Sequence, residues 1–464
     1  MISLPLIGVL SIHAVCIHAD DPEKGPKPMT SRSVAVTRSP EKPEYARSLG
    51  AVAEAYGLDW VKRGVDWLDF GIESRTRYER RWQDYTTREI ITDDALVTRN
   101  LLYLGVKNVL DPLRFVVELE DSRRFLSDRP DIPNVVNKLE LLQAYGQLYF
   151  DDVFGGAPMR VNFGRMCFDS GDRRLIERTR NRNAMTAFDG VRLRLGDEQG
   201  PWEADAFALR HVERDVEDFD KSSPDSALYG ITGYLRGSSP MVVLEPSWLW
   251  LDQRQERDIA RRRNLHTFGL HAFGQWGERA AWDYDVSLSG QLGEARGLSH
   301  RAGAAHLEVG HTWSTAGKPR VALWFNYATG DRDPNDVSSE RFDSLFGDNF
   351  SFYSYGGYFT WQNIINPALR LSFQPASHVR CEVIHRAIWL ASDTDSWVRA
   401  ERRDPAGGSG SFVGQETDAR IIWQVCPAVE IDIAFAHFFP GSFTERTGNA
   451  PESDFVQITA TVRF

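Results

Sequence analysis

The sequence has no long apolar run. No segment of its 464 residues approaches the roughly 20 consecutive apolar residues that a spanning helix needs, and the mean hydropathy is −0.39, which excludes a helical membrane protein. Glycine (37) and proline (22) are too few for a collagen, and aromatic residues (12%) are too many for a disordered chain. The net charge of −11 and the pI of about 5.6 exclude a basic nucleic-acid-binding protein. A transmembrane β-barrel passes these tests, because its strands alternate apolar and polar residues.

Cysteine and lysine are also scarce. The four cysteines lie far apart, without the spacing of a zinc site or of a disulfide framework, so we expect no cofactor. Only eight of the 54 basic residues are lysines, and the other 46 are arginines. Arginine grips carboxylates through two parallel hydrogen bonds and keeps its charge when crowded, although a high genomic GC content would produce the same bias.

The amino-terminal region divides into two segments. Residues 1–19 carry no charged side chain and contain a short apolar core, Leu4–Leu10, which predicts a signal peptide; a mis-assigned start or a disordered leader would look the same. Residues 20–66 contain five prolines, which predicts a flexible lead-in with one short helix near residues 49–56. Residues 67–464 form the main domain.

From residue 67 onward, segments of about ten residues alternate between apolar and polar side chains. In one of them, Trp282 and Tyr284 alternate with Asp283 and Asp285. This period of two indicates strands with one apolar and one polar face. Eighteen such segments begin near residues 68, 95, 113, 139, 158, 187, 201, 225, 241, 264, 280, 301, 318, 367, 379, 413, 428 and 453.

The connections between these segments alternate in length. Eight are short, and seven of those contain proline; the intervening ones are longer and reach residues 168–186, 330–366 and 392–411. Outer-membrane barrels have short periplasmic turns, long extracellular loops and an even strand number. The last strand ends in Phe464, which resembles the insertion signal of bacterial outer-membrane barrels. We therefore predict an all-β, 18-stranded antiparallel transmembrane β-barrel, monomeric and located in the bacterial outer membrane.

Several motifs resemble the alginate export family of outer-membrane barrels, in the family's order, across residues 68–464. They are Asn162–Arg165, Gly171–Ile176, Phe188–Arg192, Asn326–Pro334, Phe342–Phe346, His385–Leu390, Gly414–Asp418 and Phe438–Gly441. The resemblance implies passive export of an anionic exopolysaccharide past an arginine-rich constriction, with outer-membrane lipid and periplasmic or inner-membrane secretion components as partners. Two features depart from the family: the lead-in is longer than expected, and the turn at residues 426–428 is too tight for a long periplasmic plug.

Arginines that face the lumen would pass the carboxylates of such a polymer from one guanidinium to the next. Alternation places seven candidates on the polar face, and the family motif adds Arg165, which faces the lumen only if a bulge lies at Gly164. The predicted pore-lining residues are Arg75, Arg77, Arg99, Arg165, Arg192, Arg194, Arg380 and Arg386. Many acidic residues share this face, so an alternative role for the arginines is structural ion pairing.

Other functions stay open. A specific porin for small organic anions would have a similar lumen, and a secreted all-β polysaccharide lyase or hydrolase is a third alternative. The enzyme alternative lacks a GxSxG, HExxH or P-loop motif, so we expect no enzyme. A weak calcium motif, whose alternative role is a solvated turn, consists of Asp331, Asp333, Asn335 and Asp336.

Overall fold

The computed structural model describes residues 42–56, 65–86, 90–153, 155–197, 200–237, 242–254, 262–347 and 350–464. In these residues the chain forms a closed barrel of eighteen antiparallel strands, and each strand starts within four residues of its predicted position. The strands are β1 (Leu68–Asp84), β2 (Ile91–Leu110), β3 (Leu113–Phe125), β4 (Asn137–Phe150), β5 (Met159–Met166), β6 (Phe188–Gly196), β7 (Trp202–Glu213), β8 (Lys221–Arg236), β9 (Val243–Gln253), β10 (Arg263–Trp276), β11 (Trp282–Ala295), β12 (Leu298–Thr312), β13 (Arg320–Ala328), β14 (Ile364–Ala376), β15 (Val379–Trp389), β16 (Phe412–Cys426), β17 (Val429–Pro440) and β18 (Ser453–Arg463).

The first and last strands close the barrel. β18 pairs with β1 in an antiparallel register that places Arg463 opposite Glu73. One residue further, Phe464 exchanges two backbone hydrogen bonds with Ile72, with N···O distances of 2.9 and 3.1 Å. Closure pairs both edges of the sheet, which removes the unpaired backbone groups that a lipid environment cannot satisfy.

The two faces of each strand meet different surroundings. In β11, Asp283, Asp285 and Ser287 are buried towards the lumen, whereas Trp282 and Leu288 are 41% and 50% exposed on the outer surface. This arrangement, with apolar side chains outside and polar side chains inside, is typical of a barrel surrounded by lipid. The predicted alternation is therefore confirmed, together with the direction in which each face points.

Short and long connections lie at opposite ends of the barrel. The longest loops, residues 167–187, 329–363 and 390–411, share one end, and the other end carries the short turns of the periplasmic side. One connection corrects the prediction that the loop end has only longer connections. Arg296 and Gly297 alone join β11 to β12, and their positive φ angles (58° and 80°) suit a two-residue hairpin turn.

In the described ranges, helical structure is limited to short pieces. These are α1 (Leu49–Tyr56), α2 (Phe350–Tyr353), α3 (Ser442–Arg446) and two 3₁₀ turns, Glu278–Ala280 and Val398–Ala400. Among the described residues, no helix is long and apolar enough to span a membrane. α1 lies where the sequence predicts a helix, whereas the predicted signal peptide and lead-in residues 20–41 and 57–64 lie outside the described residues.

Two long loops fold back into the lumen. We call residues 167–187 the constriction loop and residues 329–363 the inner loop. Ile176 of the first and Phe346 of the second form a parallel backbone bridge. Phe168, Ile176 and Trp361 are almost completely buried, in two apolar clusters inside the barrel. The interior is therefore packed on the side of the long loops, and the functional residues are arranged around that packing.

Candidate translocation pathway through the lumen

Three of the predicted arginines anchor the constriction loop. Arg75 donates two short hydrogen bonds to main-chain carbonyls of the loop (2.7 and 2.8 Å), and Arg99 donates to the same two (2.9 and 3.2 Å). Arg75 also donates two longer hydrogen bonds, to the carbonyl of Asn181 (3.5 Å) and the side-chain oxygen of Asn183 (3.2 Å). Arg77 donates to the same Asn181 carbonyl (2.5 Å). The three main-chain acceptors belong to Arg180, Asn181 and Arg182. Because a carbonyl carries no net charge, these contacts fix the loop without neutralising the guanidinium groups.

Two carboxylates lie beside this arginine clamp. Glu73 accepts a hydrogen bond from Arg99 (3.0 Å), and Glu79 forms an ion pair with Arg77 (2.7 Å). Arg75 forms no ion pair with any carboxylate in the described residues. The clamp therefore sets three guanidinium groups beside two carboxylates, and Arg75 is the guanidinium group without an ion pair in the described residues.

The constriction loop has further anchors. The amide nitrogen of Asn183 lies 2.9–3.1 Å from three main-chain carbonyl oxygens of neighbouring segments. Arg214, directly after β7, donates to two carbonyls of the loop (2.9 and 3.0 Å). Burial and the neighbouring Arg182 guanidinium lower the pKa of Arg214 to about 10. The loop is therefore held from several sides, in a region crowded with positive charge.

Arginines also hold the inner loop. Arg386 is completely buried, forms an ion pair with Asp418 and donates to the carbonyl of Phe352 (3.4 Å). Arg174 of the constriction loop donates to the hydroxyl oxygen of Tyr353 (3.0 Å), which ties the two loops together. Arg386 is therefore a packing residue of the lumen in this structure, not an accessible carboxylate-binding group.

Positive charge from four segments converges where the two loops meet. Arg81 of β1 and Arg399 of the 390–411 loop donate to two adjacent carbonyls of the inner loop (2.5 and 3.1 Å). Burial, followed by the charges of Arg182 and Arg81, lowers the pKa of Arg399 to about 10. Arg182 also acts on Arg214, so the charges of these four arginines influence one another. None of the four is among the arginines predicted to line the pore.

A second group of lumen residues, which we call the vestibule, lies near the short-turn end. It consists of three arginines, Arg114 on β3, Arg160 on β5 and Arg194 on β6, together with Tyr149 on β4. The guanidinium carbons of Arg114 and Arg160 lie 3.6 and 5.7 Å from the centre of the Tyr149 ring. Arg160 and Arg194 are opposite each other in the β5–β6 register. In the described part of the chain, Arg194 is buried and forms neither an ion pair nor a hydrogen bond.

The two other lumen arginines differ from each other. Arg192 is held by Asp205 through two hydrogen bonds (2.9 and 2.5 Å) and lies 4.4 Å from the ring of Phe168. Arg192 and Arg194 are therefore not the equivalent pair that their spacing suggests. Arg380, near the short-turn end of β15, forms no ion pair or hydrogen bond within the described ranges.

The opposite wall of the lumen is acidic. The two ring nitrogens of His271 lie 2.6 Å from Glu245 and 3.0 Å from Asp285. A cavity of about 40 Å³ separates this wall from the constriction loop, and Asp172 and Trp361 also line it. A cavity of that volume holds about three water molecules. The lumen therefore has one side, formed by β1 to β6, on which arginines and carboxylates are mixed, and an opposite wall on which Glu245 and Asp285 lie beside His271.

Arg165 does not face the lumen, which corrects the prediction. The register of β5 with both neighbours continues across Gly164 without a bulge, so Arg165 lies on the same face as Phe163, which is 43% exposed outside. Its guanidinium binds both oxygens of Asp189 (2.9 and 3.1 Å). The positive φ of Gly164 (129°) is absorbed without a change of register.

The predicted calcium residues do not converge. Asp333 and Asp336 each accept a hydrogen bond from a main-chain nitrogen two residues later (3.0 and 2.8 Å), as turn residues do. Asp331 instead contacts Asp395 through its main-chain nitrogen (2.9 Å). In the part of the chain that the structure describes, no group of three or more His, Cys, Asp or Glu residues is arranged to hold a metal ion.

The strand number, the inward arginines and the inward-folded loops can now be compared with known proteins. The model of the family described as alginate export matches residues 66–456. This chain belongs to the alginate export family. No curated protein matches the sequence. Family and fold together make it a channel of the bacterial outer membrane, and a transport channel is not a class of enzyme.

Solved porin structures share the fold of this alginate export family channel. OprD from Pseudomonas aeruginosa matches with a TM-score of 0.58 and 11% identity, over 86% of this chain and 94% of that chain. OccD3 (OpdP) from the same organism gives 0.56 and 12%, over 86% and 91%. OpdK with vanillate, also from Pseudomonas aeruginosa, gives 0.57 and 10%, over 86% and 98%. At these identities the similarity establishes the fold alone.

The sequence contained a signal for part of what was missed. Arg114 alternates with Phe115 and Val117, and Arg160 alternates with Val161, so the rule that found the other lumen arginines would have found both. The loop arginines carry no such pattern. Their position in this alginate export family channel depends on loops that fold into the barrel, which local periodicity does not encode.

Proposed function

We propose that this channel carries an anionic exopolysaccharide passively out of the cell, as a monomer, and that secretion components on the periplasmic side deliver the polymer. The observation that carries the proposal is the vestibule. Three arginines from β3, β5 and β6 face the lumen at the periplasmic mouth, and Arg194 forms no ion pair or hydrogen bond in the described residues. A uronate polymer presents one carboxylate per sugar, which such a cluster would capture.

The arginines form three groups along the path. The vestibule comes first, the clamp at Arg75 second, and the crowded region around Arg182, Arg214 and Arg399 third. Conduction requires binding that is favourable enough for entry and weak enough for release, and several successive sites satisfy both needs. The constriction loop and the inner loop fill the lumen, so passage of a polymer also requires them to move aside.

Charge reversal in the vestibule tests the proposal. In planar bilayers, the double variant Arg160→Glu with Arg194→Glu should move the reversal potential towards cations and weaken block by oligouronates, because selectivity follows the charges that line the path. Arg194→Lys should keep the anion preference but weaken the block, since lysine cannot bind a carboxylate in two places.

Arg301→Glu is the matched control. Arg301 lies on the outer surface of β12, next to the buried lumen residue Ala302, so this variant makes the same type of charge reversal, at one position instead of two, without touching the path. It should behave as the wild type does. An unchanged reversal potential and unchanged block in the vestibule variant would contradict the proposal and leave those arginines a structural role.

The second candidate function is a specific porin for small organic anions. The observation that favours it is the small free volume beside the acidic wall, where the inward loops leave a cavity of about 40 Å³ among the described residues. The structural neighbour OpdK is described with vanillate, a small organic anion. Liposome-swelling assays separate the candidates. Swelling with a monomeric uronate, without any block of current by oligouronates, would favour the porin; strong block by the oligomers would favour export.

A further inference from the structure

The described part of the lead-in enters the lumen from the periplasmic side. Arg47 and Ser48 form a short antiparallel pair with Phe70 and Asp69, on the stretch of β1 that precedes its pairing with β18. Just before this pair, Tyr45 is only 6% exposed, although it precedes the barrel. The chain therefore passes inside the wall of the barrel at this point and does not run over its outer surface.

Gly71 shows how closely the lead-in approaches the wall. Gly71 lies on the lumen face of β1, between the inward residues Asp69 and Glu73. A Cβ atom at Gly71 would lie 2.8 Å from both the Cα atom of Ala46 and the carbonyl oxygen of Tyr45. Real Cβ atoms essentially never come so close to backbone atoms. Any larger residue at this position would therefore displace the lead-in from the lumen.

Tyr45 links the lead-in to the constriction loop through a single carboxylate. Its hydroxyl group donates a hydrogen bond to Glu118, a completely buried residue of β3. The same carboxylate accepts a hydrogen bond from Gln143 and lies 3.9 Å from the guanidinium of Arg178 in the constriction loop. Burial and then the charge of Glu118 raise the pKa of Tyr45, so the hydroxyl stays protonated and keeps donating.

A second contact fixes the start of the segment. The amine of Lys42 lies 2.8 Å from Asp69, whose carboxylate also binds Lys107 of β2 (3.0 Å). Asp69 therefore holds the lead-in against two adjacent strands. With the Arg47–Ser48 pair and the contact of Tyr45 with Glu118, the segment is attached at three places over seven residues.

We propose that residues 42–48 act as a periplasmic plug, which closes the lower lumen and, through Glu118, holds the constriction loop in its seated position. The two obstructions in the channel are then linked: removing Tyr45 from the lumen deprives Glu118 of a hydrogen-bond donor and loosens its hold on Arg178. Opening from the periplasmic side would in this way weaken the barrier formed by a loop from the opposite side. The plug does not depend on which anion the channel carries.

The test is to expel the plug without changing the charged residues. Gly71→Val puts a side chain where the lead-in lies, and a branched residue suits a strand. In planar bilayers with potassium chloride, this variant should spend about tenfold more time open than the wild type, the factor that one charge-assisted hydrogen bond supplies. Gly290→Val is the control, because Gly290 of β11 is exposed and has no heavy atom within 4 Å of a Cβ position. It should conduct as the wild type does.

Two tyrosine variants test the plug independently if the Gly71→Val protein does not insert into the membrane. Tyr45→Ala removes both the ring and the hydroxyl group, so it should also open the channel. Tyr45→Phe keeps the ring in the lumen but loses the bond to Glu118, so it should speed tryptic cleavage of the constriction loop more than it raises conductance. Wild-type open times in Gly71→Val and Tyr45→Ala, with the barrel still heat-modifiable, would overturn the plug. Wild-type cleavage in Tyr45→Phe would overturn the link to the loop.

Discussion

Replacing Arg75 by methionine should release the constriction loop. The variant keeps most of the side-chain volume but loses two short hydrogen bonds to main-chain carbonyls, at 2.7 and 2.8 Å, and two longer ones, to the Asn181 carbonyl (3.5 Å) and the Asn183 side chain (3.2 Å). A hydrogen bond to a charged group contributes about 1.5–3 kcal/mol, so loss of the two short bonds alone destabilises the seated loop by about 3–6 kcal/mol. Arg99 shares both acceptors and keeps its bonds to them, which favours the lower value. A change of about 3 kcal/mol raises the population of the released loop roughly 150-fold.

Limited proteolysis measures that population. Residues 167–187 contain five arginines, each a cleavage site for trypsin. Trypsin can reach these sites only after the loop has left the lumen. When opening and closing are fast, the cleavage rate follows the open population, so Arg75→Met should be cleaved roughly 150-fold faster. Arg370→Met is the control, because Arg370 binds Glu382 (2.7 Å) and Glu308 (3.6 Å) on the barrel wall. A wild-type cleavage rate in an intact Arg75→Met barrel would refute the clamp.

Two other perturbations have defined outcomes. Deleting Phe464 should impair membrane assembly, because its backbone completes the seam at Ile72; wild-type amounts of heat-modifiable protein would contradict this. Burial opposes ionisation of Asp395, but hydrogen bonds from Arg341 outweigh it and lower its pKa. That contact is present in full above the unfolded pKa of about 3.9 and is lost as the pH falls through the lower folded value. Acid should therefore speed hydrogen exchange in residues 390–411, and Asp395→Asn should remove the pH dependence.

The barrel could be predicted from the sequence because its strands are specified locally. In β3, Phe115 and Val117 face lipid while Glu118 and Glu120 face the lumen. The alternation of apolar and polar residues along the sequence already assigns each of them to its face. The same rule locates the inward arginines, because successive side chains of a strand point to opposite faces and every second residue therefore faces the lumen. At Arg165 the rule gives the outward orientation that the structure shows, and the prediction was wrong because the family motif suggested a bulge that the backbone does not provide.

The arrangement of the lumen could not be predicted in this way. Three of the four acceptors of Arg75 lie 105 to 107 residues further along the chain, and these three are main-chain atoms that every residue type offers equally. No side-chain pattern marks a segment as an acceptor of this kind. The plug escaped prediction for a similar reason: the proline-containing lead-in looks like a linker, and only Gly71, a small residue on an inward face, hints that another chain segment lies against it.

The constriction loop is positioned largely through its main-chain atoms, which separates the position of the loop from the chemistry of its side chains. Because Arg75, Arg77 and Arg99 bind carbonyl oxygens, an exchange of the side chains at positions 181 and 182 leaves every one of those bonds in place. The side chains at the tip of the loop can change, while the main-chain contacts that hold the loop stay the same. A library of variants at these two positions should therefore yield pores of different selectivity that share one loop position and one barrel.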